Sequence, residues 1–465
     1  MRLWQHWGQV IAMMRPAFSH LRTFMWFAVI VAGMTSRPEL GGVTSIIRAL
    51  NLEEDYYPHL LGLFHSKAIS LNKLRALWAK IVSQIFKDPV LVNQRRVFLA
   101  DGIKVPRSGK KMPAVKSLHQ ESESNTKPEF IMGHSLQAIS SLQKSHGSHI
   151  AVPIAAEIHE GVVASNRDKR TLYDKILNLI ERVVTEPCYL VADAYYAVQK
   201  MTRGLVAQNH HLITRVRSNA VAYAPAPVLS KPKRGRPKTY GKKIKLANLL
   251  KDKAAMQKAP SPCYGESDVT ILYSCHDLLM RATGQLVRYA LCVHPTRGAW
   301  ILMTTDILLS PIQIIQIYSL RFKIECCFKQ GVRQIGVFAY HFWMQAMTPI
   351  KHKGGDQHIH HKSDQYRAAI QRKIKAYHVF IQIGLITQGI LQYLATVHPK
   401  LVWDSFGSWL RTIRDGIPPS ELVVMNAMRN SLPEFLLNSS QPSTFKKFIR
   451  AKQDKQRMRH FRLTG

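Results

Sequence analysis

Apolar positions change their spacing along the chain, and the change divides it. Up to about residue 90 they recur every three or four positions, as in Val43, Ile46, Ile47 and Leu50, which predicts helices. A further helix is expected over Tyr56 to Phe64, with Pro58 in the first turn, where proline is tolerated. Two short helices joined by Asn51 to Asp55 fit either a helix-turn-helix or an ordinary small bundle. The longest purely apolar run, Phe24 to Met34, is too short to cross a bilayer and lacks the flanks of a signal peptide. A buried helix is expected there.

From Arg95 the pattern becomes that of strands. Val97 to Ala100 is an unbroken apolar run closed by an acid, Asp101, as expected of a strand buried on both faces. Strand-like runs follow at Gly133 to Ser140 and His149 to Ile158. A helix is expected over Leu172 to Val184, with Leu172, Ile176, Ile180 and Val183 on one face. Cys188 to Ala192 is a second apolar run closed by an acid, Asp193. A helix and a strand, His211 to Val216, complete an α/β pattern with a mixed sheet flanked by helices.

Residues 218 to about 300 interrupt that rhythm. They are first rich in Pro and Lys and then strand-like, at Val269 to Ser274 and Val287 to His294, and read as a β-rich insertion. The α/β pattern resumes with a strand, Ala299 to Thr304, and one long helix, Pro311 to Val332. Lys351 to Lys362 reads as a polar loop rich in His and Gly. A long amphipathic helix follows, striped by Ile370, Ile374, Tyr377, Ile381 and Leu385. The expected division is a helical N-terminal domain (1–90), a first part of the core (91–217), the basic β-rich insertion (218–298), a second part of the core (299–345), and a loop, helical C-terminal region and basic tail (346–465).

Charge narrows the function. Lys and Arg number 65 against 29 Asp and Glu, a formal net charge of +36. A folded chain this basic destabilises itself by repulsion unless it meets a polyanion, and nucleic acid is the usual one. With 46% apolar residues the chain has enough for a globular core rather than a disordered basic tail. None of the six cysteines forms a C-x-x-C pair, which leaves a zinc ribbon or redox motif without support and suggests reduced thiols in a cytosolic protein. No membrane association is expected.

In a chain so poor in acids, carboxylates at strand ends stand out. Asp101 and Asp193 at neighbouring strand ends would repel each other unless a cation sat between them. Mg²⁺ takes oxygen ligands, and two such ions about 4 Å apart can activate water and stabilise a leaving 3′ oxygen. Taken singly, either aspartate is as well explained as the cap of a turn. The long helix adds Tyr318, Arg321, Glu325 and Lys329 at offsets of three, four and four, on one face beside the apolar stripe Ile317, Leu320, Ile324 and Phe328. That row is either an intrahelical ladder of ion pairs or a metal ligand flanked by phosphate-binding cations.

Tyr318-Ser-Leu-Arg321-Phe-Lys-Ile-Glu325 resembles the Tyr-x-x-Arg-x-x-x-Glu signature of DDE transposases from bacterial insertion sequences, and Ala100-Asp101-Gly102 and Ala192-Asp193-Ala194 resemble the family's two aspartate motifs. The resemblance runs over roughly residues 95 to 335, with the acids in the family's order. It implies an RNase H-like core with a β-rich insertion before the glutamate. It further implies that Asp101, Asp193 and Glu325 hold Mg²⁺ or Mn²⁺, in all two ions, and that Tyr318 and Arg321 meet DNA phosphates near the cut. The implied activity is cleavage at element ends and transfer of the 3′ hydroxyl into target DNA. Double-stranded DNA is the implied partner, with a homodimer on it, in the bacterial cytoplasm at the nucleoid. A nuclease or resolvase with the same core, and a silent DNA-binding descendant, are the alternatives. The chain departs from the signature at Val332, where the family has a lysine; Lys329 or Arg333 can substitute in charge. Phe322 stands where relatives often carry tryptophan.

Other basic segments offer DNA contacts. Lys233 to Lys238 contains Arg-Gly-Arg-Pro, with Arg234 and Arg236 spaced to enter a narrow A·T minor groove, or to touch phosphates without sequence preference. Arg215 and Arg217 follow a core strand, and Lys446 to Arg462 is a basic tail. His352, His358, His360 and His361 are expected in an exposed loop rather than in a metal site, and Trp300 in the core rather than as a base-stacking wedge.

Overall fold

The computed structural model describes residues 2–120, 128–227, 238–266, 268–407, 417–437 and 443–456. The chain divides into two compact units, one of Met1–Pro89, Gly102–Lys169 and Cys326–Gly465, the other of Val90–Asp101 and Arg170–Glu325. The strand Arg95–Pro106 passes from one to the other.

The unit that carries Asp101 is built on a mixed sheet. Arg95–Pro106 pairs in parallel with Cys188–Ala192, from Arg96 opposite Cys188 to Leu99 opposite Val191. Cys188–Ala192 pairs in parallel with His211–Arg215. Parallel neighbours need a crossover, and the helix Gln199–Ala207 supplies the second one, packing on Leu172–Val183. The helix Leu172–Val183 starts where expected because Thr171 and Asp174 form a reciprocal capping box. From His211–Arg215 onward the pairing turns antiparallel, through Gly298–Thr304, Leu286–His294 and Thr270–Met280. Val221–Pro225, Tyr240–Lys245 and Gln257–Pro260 add three strands that alternation did not reveal. The β-rich stretch 218–298 therefore hydrogen-bonds into the same ladder as the core strands, because Leu286–His294 pairs along seven residues with Gly298–Thr304.

In the other unit, the remainder of Arg95–Pro106 hydrogen-bonds to Phe130–Ser145, which pairs antiparallel with Ser148–Ile158. Their two-residue turn, His146-Gly147, holds both residues at positive φ (43° and 77°), the twist that a tight hairpin needs. The chain is mixed α/β.

The helix Asp364–Val397 is the centre of this unit. It packs against Leu21–Ser36, Leu71–Ile85, Glu421–Leu437 and the strand Ser148–Ile158. The amphipathic stripe holds only for its first turns: every residue from Val379 to Gln392 is buried. Neighbours on all sides remove the polar face, and a Cβ at Gly389 would overlap the Trp78 ring. This helix is long and apolar enough to cross a membrane, and 94% of its apolar window is buried inside the protein. Leu21–Ser36 is the expected buried helix, buried from Met25 to Ser36. Thr44–Ala49 and Tyr57–Phe64 both pack on Leu21–Ser36, as members of this bundle.

A strand with a single sheet neighbour leaves half its backbone groups without a ladder partner. Helix side chains supply donors to Ser148–Ile158. Trp78 Nε1 donates to the Pro153 carbonyl (2.8 Å), Gln382 Nε2 to Ile154 (2.9 Å), Arg75 Nη2 to Ala156 (3.1 Å) and Gln392 Nε2 to Ala151 (3.2 Å). The stretch 351–362 is also more ordered than a polar loop. Gln357–His358 pairs in parallel with Val162–Val163, and Ile359 is buried with Met344, Met347 and Ile370. Lys116 reaches both Glu160 and Asp356 at 2.9 Å and ties the segment down.

One buried acid sets a pH dependence. Glu421 begins the helix Glu421–Leu437 and accepts from Gln392 Nε2 (2.9 Å) and Gln388 Nε2 (3.3 Å). Burial pushes its carboxyl from 4.5 up to about 7, against the two amides. The folded state therefore holds a proton that the unfolded chain releases. The stability this group contributes is fully present below 4.5 and is lost as pH rises towards 7, by on the order of 3 kcal/mol. Glu421→Gln should remove that loss: its melting temperature should exceed the wild type's at pH 8, with the gap narrowing towards pH 5. Equal melting temperatures at pH 8 would show that burial does not perturb this acid.

Candidate active site

Each acid is placed by the element before it. Val97 to Ala100 are buried, and Asp101 is the first polar side chain past them, half-buried. The strand does not stop at this acid, as its apolar run suggested; it continues to Pro106. Asp193 follows directly on Cys188–Ala192. The parallel register that sets Leu99 opposite Val191, carried two residues on, sets Asp101 opposite Asp193. Adjacent strands lie about 4.8 Å apart, so two carboxylates are brought to one edge of the sheet. Asp193 also caps a turn: its Oδ1 accepts from the Tyr195 amide at 3.0 Å, and its backbone carbonyl accepts from Thr214 Oγ1 at 2.6 Å.

The third acid arrives on a broken helix. Ser310 and Gln313 form a capping box and Pro311 opens the first turn, fixing the start of Pro311–Ser319. A tighter 3-10 turn, Leu320–Phe322, separates it from Lys323–Gln330, and a π turn, Gly331–Ile335, ends the run. The single helix expected over Pro311 to Val332 is thus broken into four segments, and Arg321 sits in the tight turn. From there its Nη1 donates to Asp101 Oδ2 at 2.8 Å and its Nη2 to Glu325 Oε1 at 2.5 Å. The Arg321–Glu325 half of the expected ion-pair ladder is present. The Asp101 bond joins residues 220 positions apart.

Electrostatics follow this arrangement. Burial works against the Arg321 charge, but Asp101, Tyr318 and Glu325 outweigh it and hold the guanidinium more firmly protonated than usual. Tyr318 is half-buried, and burial raises its phenol above the ordinary value. Arg321 and Arg215 pull it down, while Asp193 pushes it up, which places this ring among all three charges. Lys329 and Arg333 are exposed on the continuation of the helix, in the unit that begins at Cys326, as is Val332. Arg234 and Arg236 lie outside the described residues, as does the whole Arg-Gly-Arg-Pro segment. Trp300 is half-buried, 6.1 Å from the His294 ring.

A support for the tight turn was not visible in the sequence. The Phe322 ring lies 5.3 Å from that of Tyr264, and the Arg297 guanidinium lies 4.1 Å over the other aromatic contact, Tyr264. Arg297 is held by Glu266 Oε1 at 2.8 Å, and Glu266 Oε2 accepts from Ser261 Oγ (2.8 Å) and His294 Nε2 (2.9 Å). Hydrogen bonds from His294, Arg297 and Ser261 keep the Glu266 carboxyl down at about 2. Glu266 sits in a turn, so no periodicity marked it.

Residues 14–269 match the family described as DDE superfamily endonuclease, more than half of the chain. The chain belongs to this family. The match includes Asp101 and Asp193 and ends before Glu325. Among solved structures, the chain resembles a piggyBac transposase synaptic complex with hairpin DNA at 11% identity, covering 93% of this chain and 76% of the other with a TM-score of 0.36. No curated protein matches.

DDE superfamily enzymes generally use divalent metals. The donors here suit one: carboxylate oxygens are what Mg²⁺ and Mn²⁺ take. Among the described residues, however, no three His, Cys, Asp or Glu side chains are grouped as ligands of one ion. The positive charge that joins Asp101 to Glu325 is a guanidinium.

Glu266 gives a test of the support. Glu266→Gln should release Arg297 and loosen the Tyr264–Phe322 contact that steadies the turn of Arg321. Single-turnover DNA cleavage should slow by about 10-fold, the lower end of what groups that orient a site from behind it contribute. An unchanged cleavage rate would reduce Glu266 to a surface ion pair.

Proposed function

We propose that this DDE superfamily endonuclease is a DNA transposase that cuts at the ends of its element and joins the freed 3′ hydroxyl to target DNA. The observation that carries the reading is the matched placement of Asp101 and Asp193 on neighbouring parallel strands, with Glu325 tied to Asp101 through one arginine. The order of the three acids and the Tyr318–Arg321–Glu325 spacing support it, and the net charge of +36 suits a DNA partner.

In this reading Asp101, Asp193 and Glu325 hold two divalent ions. Bound there, the metal supplies an activated water and charge stabilisation for the leaving 3′ oxygen. Tyr318 and Arg321 bind the phosphates on either side of the cut and fix the strand for in-line attack, with Arg215 beside them. Water attacks phosphorus and the 3′ oxygen leaves as a hydroxyl. That hydroxyl then attacks a target phosphodiester at the same site, and a target 3′ oxygen leaves in turn. An element has two ends, so two chains act together on DNA. The place of action is the bacterial cytoplasm, at the nucleoid.

The test is cleavage and strand transfer on duplexes carrying the element's ends, with Mg²⁺ or Mn²⁺. Asp101→Ala, Asp193→Ala and Glu325→Ala should each lose at least about 100-fold in both reactions, more than outer-shell changes cost, while still binding DNA. Cleavage without strand transfer from pre-cut ends would make the protein a nuclease or resolvase. Full activity in any of the three variants would remove that acid from the site.

A further inference from the structure

Arg321 occupies an unusual position for a DNA-binding side chain. Its two terminal nitrogens are spent on two different acids, Asp101 and Glu325, which come from a strand and a helix far apart in sequence. The geometry is that of a shared cation. Two carboxylates near one another need a positive charge to stay ionised, and here one guanidinium meets that need for both. All three side chains belong to the same compact unit. The tight turn Leu320–Phe322 sets the origin of the Arg321 side chain, and the Tyr264–Arg297–Glu266 support holds the turn.

A guanidinium fork fits a phosphate as well as it fits a carboxylate, because both present paired oxygens. A divalent ion and Arg321 cannot both neutralise the same oxygens of Asp101 and Glu325 at full strength. The two cations therefore compete, and whatever draws Arg321 away favours the metal. A DNA phosphate is the chemistry suited to draw it away.

We propose that Arg321 is a stand-in cation: it pairs Asp101 with Glu325 in the free protein, and its transfer to a DNA phosphate opens both carboxylates to the divalent metal. The proposal rests on the reading of these acids as metal ligands. It makes metal binding follow DNA binding, and so restrains metal-dependent chemistry away from DNA. By linkage the coupling is reciprocal, and bound metal must strengthen DNA binding by the same factor.

The experiment measures Mn²⁺ affinity of the full chain without DNA, by paramagnetic resonance of the free ion, with the Mn²⁺-induced shift in melting temperature as a second readout. Arg321→Gln should bind Mn²⁺ at least about tenfold more tightly than the wild type, and its melting temperature should rise more with the ion; a tenfold change corresponds to about 1.4 kcal/mol. Arg321→Lys keeps a charge but loses the fork, and should fall between the two. Should Arg321→Gln not fold, Arg321→Lys alone decides the matter by the same comparison. Equal Mn²⁺ affinity in wild type and variants, abolished by Asp101→Asn, would overturn the stand-in role and leave the metal site intact. Tight Mn²⁺ binding in Arg321→Gln that survives an added Asp101→Asn would instead overturn the metal-ligand reading itself.

Discussion

Like charges at a sheet edge are the constraint on which the site depends. A parallel register brings Asp101 opposite Asp193, and a broken helix delivers Glu325 to the same neighbourhood through Arg321. Carboxylates brought together in this way need compensating charge to stay ionised. Arg321 supplies that charge to Asp101 and Glu325, with the Tyr318 ring beside it. Each has a second use, since phenols and guanidinium groups also bind phosphate. The site is thus stabilised by the groups that would leave it for substrate.

The surrounding unit holds that edge still. Buried apolar strands carry the two aspartates, capping boxes at Thr171 and Ser310 fix helix starts, and the Glu266 cluster braces the turn of Arg321. In the other unit a helix buried on all sides anchors a bundle, and its glutamines satisfy the backbone of Ser148–Ile158. Burying polar groups there carries a cost that Glu421 makes visible in its raised pKa.

Much of this was legible in the residues. Solid apolar runs marked the strands at 97–100 and 188–192, because strands buried on both faces tolerate little else, and the acids ending those runs were the site candidates. The burial of Phe24 to Met34 followed from its length. What escaped notice depended on tertiary partners. The strand through Asp101 runs on to Pro106, past the end of its apolar run. The stripe on Asp364–Val397 vanished because neighbours cover every face. The strands within 218–260 are short and bury few side chains, so alternation could not reveal them. Nor could spacing show that Arg321 would turn to Asp101, since a helix-face argument sees only Glu325 and Lys329.

The most direct measurement is a crystal structure of the wild-type protein on duplex DNA carrying an element end, grown with Mn²⁺ and read by anomalous scattering. The account predicts manganese held by Asp101, Asp193 and Glu325, with Arg321 turned onto a backbone phosphate. Manganese bound elsewhere, with Arg321 still bridging Asp101 and Glu325 beside the DNA, would contradict it.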